Sequence, residues 1–403
     1  MWDGPKAVRK AIRAGANVNA LINNDRTPLM LSAGICDARI AQELISAGAD
    51  LSVQNKDGLT AAMYWAASGC NDKTVLQVLS SFQGDVVNIQ DKGGNTALMY
   101  ALECSNPLPR VEELVQNGAK LDIFNQEGEN AVIFAAKKNS ELARQMARSS
   151  RELDEALYIA AYVHNLPAVK GLLRAGANPN WRLSEKDATL LLERSLGHNH
   201  EGVLGPQNAL LAAASAASWA EDNGDLVVRE IYNAGGTQGA EVAFLASIFY
   251  HRPDALEELL RYDVNIYESF GVYGNAWWAA SRQRALRSHP NYQKERLRVG
   301  KMVSLLLDAG LPVDQRQSDS RGDTPLMLFA AWDRECFSTE AVRVLLKGGA
   351  NKNKRNSEGK TAYDMTECSE YKNMLKPDDA GQTSAKRKSV GRSLVRSSGA
   401  RRR

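Results

Sequence analysis

The chain has 403 residues, of which 44% are hydrophobic and 24% charged, with a net charge of +3. That length is too great for one compact core, and the composition is neither that of a disordered chain nor that of a collagen-like one. No apolar run approaches the roughly 20 residues that span a bilayer, and the first residues, MWDGPKAVRKAIRAGANVN, carry neither an apolar signal core nor a cleavage pattern.

The first predicted element is a helix over residues 5–15 that ends in RAGANVN at 13–19. The same ending returns as SAGADLS at 46–52, NGAKLD at 117–122, RAGANPN at 174–180, DAGLPVD at 308–314 and KGGANKN at 347–353. In each, an Ile, Val or Leu lies three residues before a glycine: Ile12, Ile45, Val115, Leu173, Leu307 and Leu346. The glycine marks a helix C-terminus, because a residue without Cβ enters the left-handed region at little cost. Four residues after it comes a short polar side chain suited to bond nearby backbone and start a turn: Asn19, Ser52, Asp122, Asn180, Asp314 and Asn353.

A second series runs out of phase with the first. It reads Thr27-Pro-Leu-Met, Thr60-Ala-Ala-Met, Thr96-Ala-Leu-Met, Asn130-Ala-Val-Ile, Asn208-Ala-Leu-Leu, Thr324-Pro-Leu-Met and Thr361-Ala-Tyr-Asp. Threonine or asparagine serves as N-cap, and proline, where present, takes the first helical position. The unit is therefore helix, short turn, helix, glycine stop and hairpin-like loop, with a period of about 33–36 residues where it is clearest.

These residues resemble the ankyrin-repeat family, whose GxTPLH…LLxxGAxxN pattern and period they follow. A tetratricopeptide array has a similar period but lacks both the Thr-Pro opening and the Gly-Ala stop. The resemblance covers nearly all of residues 1–376 and is most specific in the first three repeats and at 320–376. It implies an all-α solenoid of stacked helix-turn-helix units joined by hairpin loops, each unit burying its apolar face against its neighbours alone. One departure is consistent. The family's histidine after Thr-Pro-Leu is Met30, Met63, Met99 and Met327 here. That imidazole ties adjacent loops together, and methionine fills its volume without supplying those bonds, so lower loop-to-loop rigidity is expected.

On this reading residues 1–23 are a half-repeat cap, an outer helix with no inner helix before it, or the opening of a fragment of a longer product. Residues 24–152 are N-terminal repeats, the last of them without a Gly-Ala stop. Residues 153–272 are degenerate repeats with a loop insertion near 183–204, and 127–205 is where the weakest coupling or a bend is expected. C-terminal repeats and a cap occupy 273–376, and 377–403 is a basic disordered tail, too poor in apolar residues to fold. The tail holds eight basic and two acidic residues, leaving 42 basic and 45 acidic for the body, so any affinity for polyanions belongs to the tail.

Chemistry-bearing motifs are few. GHNHEG at 197–202 brings His198 and His200 together, but no third ligand follows from spacing, and a solvent loop is favoured over a metal site. His164 and His251 each precede a Pro-containing outer helix, a placement that favours a structural turn role. Five cysteines (Cys36, Cys70, Cys104, Cys336 and Cys368) are odd in number and form no CxxC pair, which predicts reduced thiols in a cytosol-like compartment. Cys36, Cys70 and Cys104 fall nine, ten and eight residues after their repeat threonines, so they do not share one equivalent position. No nucleotide, metalloprotease or nucleophile-elbow motif is present, and no cofactor or metal is predicted.

What the resemblance implies is a non-enzymatic, monomeric module that binds a protein partner on its concave face. Family contact positions map to Arg26, Leu59, Asn95, Glu129 and Asp323 in the loops. On the helices they map to Glu103, Lys137, Lys138, Gln283, Arg284 and Trp332, with Gln283 and Arg284 resting on Ala276 as the threonine equivalent. Trp332 is the expected anchor, and at least one of Trp277 and Trp278 is expected to pack between repeats. The tail cluster Lys386, Arg387, Lys388, Arg401, Arg402 and Arg403 reads as a targeting or delivery signal. It also suits nucleic-acid or anionic-surface contact, or nuclear import. Its spread arginines resemble the translocation signals of some type IV secreted bacterial effectors, which would place the chain as a secreted effector binding a host protein.

Overall fold

The computed structural model describes residues 4–22, 25–196, 208–215, 223–267, 275–281, 292–316, 321–332, 336 and 338–376. They form two compact units, one ending at Asn265 and the other beginning at Ile266. In the first unit an inner row holds α2 (Pro28–Ile35), α4 (Ala61–Ala66), α6 (Ala97–Ala101), α8 (Ala131–Lys138), α10 (Ser150–Tyr162), α13 (Ala209–Ser215) and α15 (Ala240–Phe249). Its outer helices are α1 (Gly4–Arg13), α3 (Ala38–Ser46), α5 (Asp72–Leu79), α7 (Leu108–Gln116), α9 (Ser140–Met146), α11 (Leu166–Ala175), α14 (Gly224–Asn233) and α16 (Pro253–Leu259), with α12 (Glu185–Leu196) inserted after α11. The second unit pairs inner α17 (Ala276–Ser281), α19 (Pro325–Trp332) and α21 (Ala362–Met365) with outer α18 (Tyr292–Asp308), α20 (Thr339–Lys347) and α22 (Ser369–Leu375). In both units inner helices pack on inner and outer on outer. Among the described residues the only β pairing is an isolated bridge between Ile22 and Arg26.

The helix boundaries follow from local chemistry. All six stop glycines, Gly15, Gly48, Gly118, Gly176, Gly310 and Gly349, have φ between 85° and 101°. Thr27, Thr60 and Thr324 each accept the N–H of the methionine three residues on, while the Sδ of that methionine faces the N–H of the threonine at 3.4–3.5 Å. Methionine thus closes a weak capping box from the apolar side. Asn130, Asn208 and Asn275 cap their helices in the same way. Asn275 therefore occupies the threonine position, one residue before the expected Ala276.

The loops carry their own ties, so the expectation of slack loops is not met in the early repeats. Asn55, Asp91 and Asn125 each use one side-chain oxygen to accept two N–H groups of their own hairpin. Successive hairpins then join: Lys92 N–H donates to the Asp57 carbonyl and Gln126 N–H to that of Gly93. The side chains of Gln54, Gln90 and Gln126 reach the carbonyls of Gln90, Phe124 and Lys92 at 2.7–2.9 Å. Glycine at 58 permits this approach, since a Cβ there would lie 2.7 Å from Lys92 N. On the opposite turns, side-chain oxygens of Asn19, Asn88 and Asn180 accept the N–H of Asp50, Lys120 and Gln238, and Asp314 accepts that of Asn351. These are bonds between repeats rather than the local turns predicted for Asn19, Asn180 and Asp314.

Four of the turns from inner to outer helix use a left-handed residue that is not glycine. Cys36, His164, His251 and Cys336 take φ of 55–59°, a conformation costing roughly 1–2 kcal/mol for a residue with Cβ. The prediction of reduced thiols is overturned at these turns. Cys36 is disulfide-bonded to Cys70 and Cys336 to Cys368, with Cα–Cα distances of 5.3 and 5.5 Å. A bond between neighbouring repeats needs facing positions, not equivalent ones, so unequal offsets do not prevent it. Cysteine number then no longer speaks for a reducing compartment. Cys104 stays a thiol, its pKa raised mainly by burial. Its Sγ lies 2.9 Å from the buried Arg110, whose guanidinium also takes the carbonyls of Ala66, Ser68 and Cys70. His164 has a structural place: Nε2 lies 2.8 Å from the Ala213 carbonyl and Nδ1 3.2 Å from buried Arg252.

The middle of the first unit departs from the repeat. α9 runs into α10 through three residues, with no glycine stop. A cavity of about 500 Å³ opens there, bordered by Lys120, Asp122, Arg148, Glu152 and Glu155. Asp154, on α10, supplies the missing tie by accepting Asn178 N–H at 2.6 Å. Instead of loose packing, α11 lies hard against α8. A Cβ on Gly171 would stand 1.9 Å from the Ala136 carbonyl oxygen. Trp277 is buried and Trp278 half-buried, as their adjacency on one helix requires.

Three outcomes test this packing. Gly171→Ala should force α8 and α11 apart and lower unfolding free energy by about 3 kcal/mol in chemical denaturation. Replacing Cys36 and Cys70 by serine should cost about 3 kcal/mol through the loop the bridge closes, read by the same method under non-reducing conditions. Glu258 is buried and its carboxyl is held below the usual range, first by the bidentate Arg229, then by Tyr262. Its contribution is present above the unfolded carboxylate pKa and is lost as pH falls through the lower folded value. Glu258→Gln should flatten that acid limb in melting temperature against pH.

Candidate functional site

The fourth residue after the N-cap is aromatic in three successive repeats: Tyr64, Tyr100 and Phe134, after Thr60, Thr96 and Asn130. All three are half-buried on the inner helices. Each tyrosine hydroxyl reaches its own hairpin. Tyr64 Oη accepts from Asn55 Nδ2 at 3.1 Å, and Tyr100 Oη donates to Asp91 Oδ2 at 2.6 Å. Burial, then the Asp91 carboxylate, pushes the Tyr100 hydroxyl well above the usual phenol range, so it remains a donor. Phe134 has no hydroxyl. The ammonium groups of Lys137 and Lys138 instead lie 5.6 and 5.7 Å from its ring centre, within cation–π range.

Charged ends flank this row. Lys138, on α8, pairs with Glu103, just past the end of α6, at 2.8 Å, and both side chains are exposed. An exposed pair of this kind is worth at most about 1 kcal/mol, so a partner's charges exchange for it at little cost. The result is a band of amphipathic aromatic surface edged by one anion and two cations, a composition suited to protein contact.

The other expected contact residues fall in different places. Arg26 and Leu59 are half-buried beside the inner helices. Asn95 accepts from Asn125 Nδ2 at 3.0 Å and so serves the neighbouring hairpin. Glu129 and Asp323, expected at the loop surface, are 2% and 1% exposed. Their position points along the stack, where another repeat's asparagine meets them: Asn165 donates to Glu129 Oε1 at 2.6 Å and Asn356 to Asp323 Oδ1 at 2.8 Å. Lys137 covers Glu129 from outside at 2.7 Å. Trp332 closes α19, and its side chain lies outside the described residues. So do Gln283 and Arg284, and with Asn275 as cap the equivalent helix positions move one residue earlier. His198, His200 and the tail from Lys386 to Arg403 also lie outside them. The aromatic row escaped the sequence reading although its signal, one fixed offset from the cap, was present.

Among the described residues, no three His, Cys, Asp or Glu side chains are grouped to hold a metal ion. No described helix is long and apolar enough to cross a membrane.

Comparison with known proteins agrees with the repeat geometry. The family described as "Ankyrin repeats (3 copies)" matches residues 29–125, and "Ankyrin repeat" matches 321–357. The chain is 33% identical to "Protein lin-12" of Caenorhabditis elegans over 169 residues, 41% of this chain and 10% of that protein. It is 28% identical to "B-cell lymphoma 3 protein homolog" of Mus musculus over 195 residues, covering 47% and 37% of the two chains. To the human "Ankyrin repeat domain-containing protein 63" it is 32% identical over 121 residues, covering 28% and 31%. The chain thus spans well under half the length of each of these relatives.

Tyr100→Phe deletes the hydroxyl that anchors the aromatic row to its hairpin. It should cost about 1–2 kcal/mol of stability in denaturant titration, because the Asp91 carboxylate loses a buried donor.

Proposed function

We infer that the chain, whose residues 29–125 and 321–357 match ankyrin repeats, is a protein–protein interaction module that holds its partner on the inner-helix and hairpin face of the first unit. The observation that carries this reading is the row Tyr64, Tyr100 and Phe134 edged by Glu103, Lys137 and Lys138. Arg26, Leu59 and Asn95, each directly before an N-cap threonine, are taken as further contacts. The row is supported by ties between repeats, so it meets a partner in a preformed arrangement. Ankyrin-repeat proteins generally act by binding, and the chain acts without catalysis, cofactor or metal. It works as a monomer, and its basic tail adds targeting or delivery.

The tail's charge favours a second reading, in which Lys386, Arg387, Lys388 and Arg401 to Arg403 contact nucleic acid or an anionic surface and the repeats present them. Contacts of that kind weaken steeply as salt rises. Delivery as a secreted bacterial effector that binds a host protein is a variant of the first reading, since the repeats remain the reader.

A nuclease-treated pull-down separates the two. Residues 1–403 and 1–376 should recover the same protein, and Phe134→Ala with Lys138→Glu should reduce recovery at least about tenfold while circular dichroism shows the repeats still folded. Recovery that depends on residues 377–403 or on nucleic acid would overturn this reading in favour of the tail.

A further inference from the structure

The near-neutral charge of residues 1–376 divides unevenly between the two units. Residues 1–265 hold 24 basic and 32 acidic residues, whereas 266–376 hold 18 basic and 13 acidic. Affinity for anions is therefore not confined to the tail. The excess of the second unit gathers on one hairpin, KNKRNSEGK at 352–360. Counted back from the N-caps, Lys352 stands where Leu51, Val87 and Leu121 stand in the first unit, and Lys354 where Val53, Ile89 and Ile123 stand. Arg355 takes the place of Gln54, Gln90 and Phe124, and Lys360 that of Leu59, Asn95 and Glu129. Four places that hold no cation in those three hairpins thus hold one each here, against a single carboxylate, Glu358.

The hairpin is fixed on its neighbour, so the cations stand on a preformed frame. Asn356 Nδ2 donates to Asp323 Oδ1 at 2.8 Å, and the N–H and Oγ of Ser357 both donate to the Arg321 carbonyl. Arg316 Nη2 donates to the Arg355 carbonyl at 2.9 Å. Arg355 Nη1 in turn donates to the Gly359 carbonyl at 2.6 Å, the same bond at the same distance that Gln54 and Gln90 make to Gly58 and Gly94. That bond uses one nitrogen of the guanidinium, and the side chain is 66% exposed; that of Lys360 is 55% exposed. Carboxylates already answer these cations: Asp314 lies 3.3 Å from Lys354, Glu358 2.9 Å from Lys360 and Asp364 4.0 Å from Arg355. Pairs so exposed are weak and exchange readily.

We propose that hairpin 352–360 binds an acidic segment of a partner protein, whose carboxylates take the places of Asp364 on Arg355 and of Glu358 on Lys360. A guanidinium fork receives a carboxylate through two parallel bonds. The chain's own carboxylates among the cations repel a continuous phosphate backbone, whereas spaced carboxylates replace them one for one. The hairpin also holds no aromatic ring for a base to stack on. The chain does not supply the segment itself. Residues 377–403 carry the same sign as the hairpin, and copies of a chain with a net charge of +3 repel one another. This contact belongs to the second unit and stands whether or not the aromatic row of the first binds a protein.

The test uses the full chain, with its tail constant in every arm, and a fluorescein-labelled peptide of alternating glutamate and serine, about twelve residues long. Fluorescence anisotropy should give saturable binding below about 1 mM, weakened by added salt. Arg355→Gln with Lys360→Asn, residues that earlier repeats bear at these places, should weaken it at least about tenfold. Arg355→Gln alone keeps a donor for the Gly359 carbonyl, so it carries the test if the pair fails to fold, with a loss of at least about threefold. Lys92→Gln, on a first-unit hairpin, should leave binding unchanged. Absence of saturable binding would make the cations a solvated surface and overturn the proposal. Equal binding by wild type and the double variant would overturn it by giving the affinity to residues 377–403. A thymidine oligonucleotide that binds more tightly than the peptide, and is released by the same double variant, would overturn it in favour of nucleic acid. A dimer of the full chain that the double variant dissolves would overturn it in favour of a second copy.

Discussion

A side-chain oxygen of one repeat that accepts a backbone N–H of the next is the contact on which the rest depends. Burial between neighbours supplies most of the driving force, but it is non-directional and leaves the loops free to slide. Asn19, Asn88, Asn180 and Asp314 remove that freedom on the stop-turn side. Gln54, Gln90 and Gln126 do so on the hairpin side. Each such bond is worth about 1 kcal/mol, and the bonds repeat from one unit to the next. Register between repeats is therefore set by polar geometry and stabilised by apolar area.

The two kinds of contact divide the work of the face proposed to meet a partner. Tyr64 and Tyr100 are held by their hairpins, so little order remains to be imposed on binding. Lys138 and Glu103 are satisfied by an exposed pair that is cheap to exchange. Where the repeat pattern lapses, after α9, the tie is not lost but moved: Asp154 takes over from a helix what a turn residue does elsewhere. A solenoid stabilised by nearest-neighbour terms tolerates such local substitutions, because no distant contact relies on them.

The sequence was most informative where one residue type has one physical use. Glycine at a helix stop has no ready substitute, and six of six stops carry left-handed backbone. Threonine-proline openings marked the helix starts for the same reason. Reading failed where a side chain has several possible partners. Glu129 and Asp323 look like surface charges until the neighbouring loop supplies Asn165 and Asn356. Cys36 and Cys70 look unrelated by offset, because a bond between adjacent repeats joins unlike positions. The aromatic row was legible, since Tyr64, Tyr100 and Phe134 share one offset, but the reading passed over it. Nothing in composition distinguishes a half-open aromatic from a closed one; its neighbours decide.

Native-state hydrogen exchange tests the central claim most directly. The amides of Asp50 and Lys120 lie outside helices and donate to Asn19 and Asn88 of the preceding repeat, and that of Asn178 donates to Asp154 of its own repeat. If side-chain ties set the register, these three amides exchange only through opening of the flanking repeats, with protection close to that of the adjacent helices. Exchange at the rate of unstructured loops would mean that the turns move freely, and the account of a preformed face would fall with them.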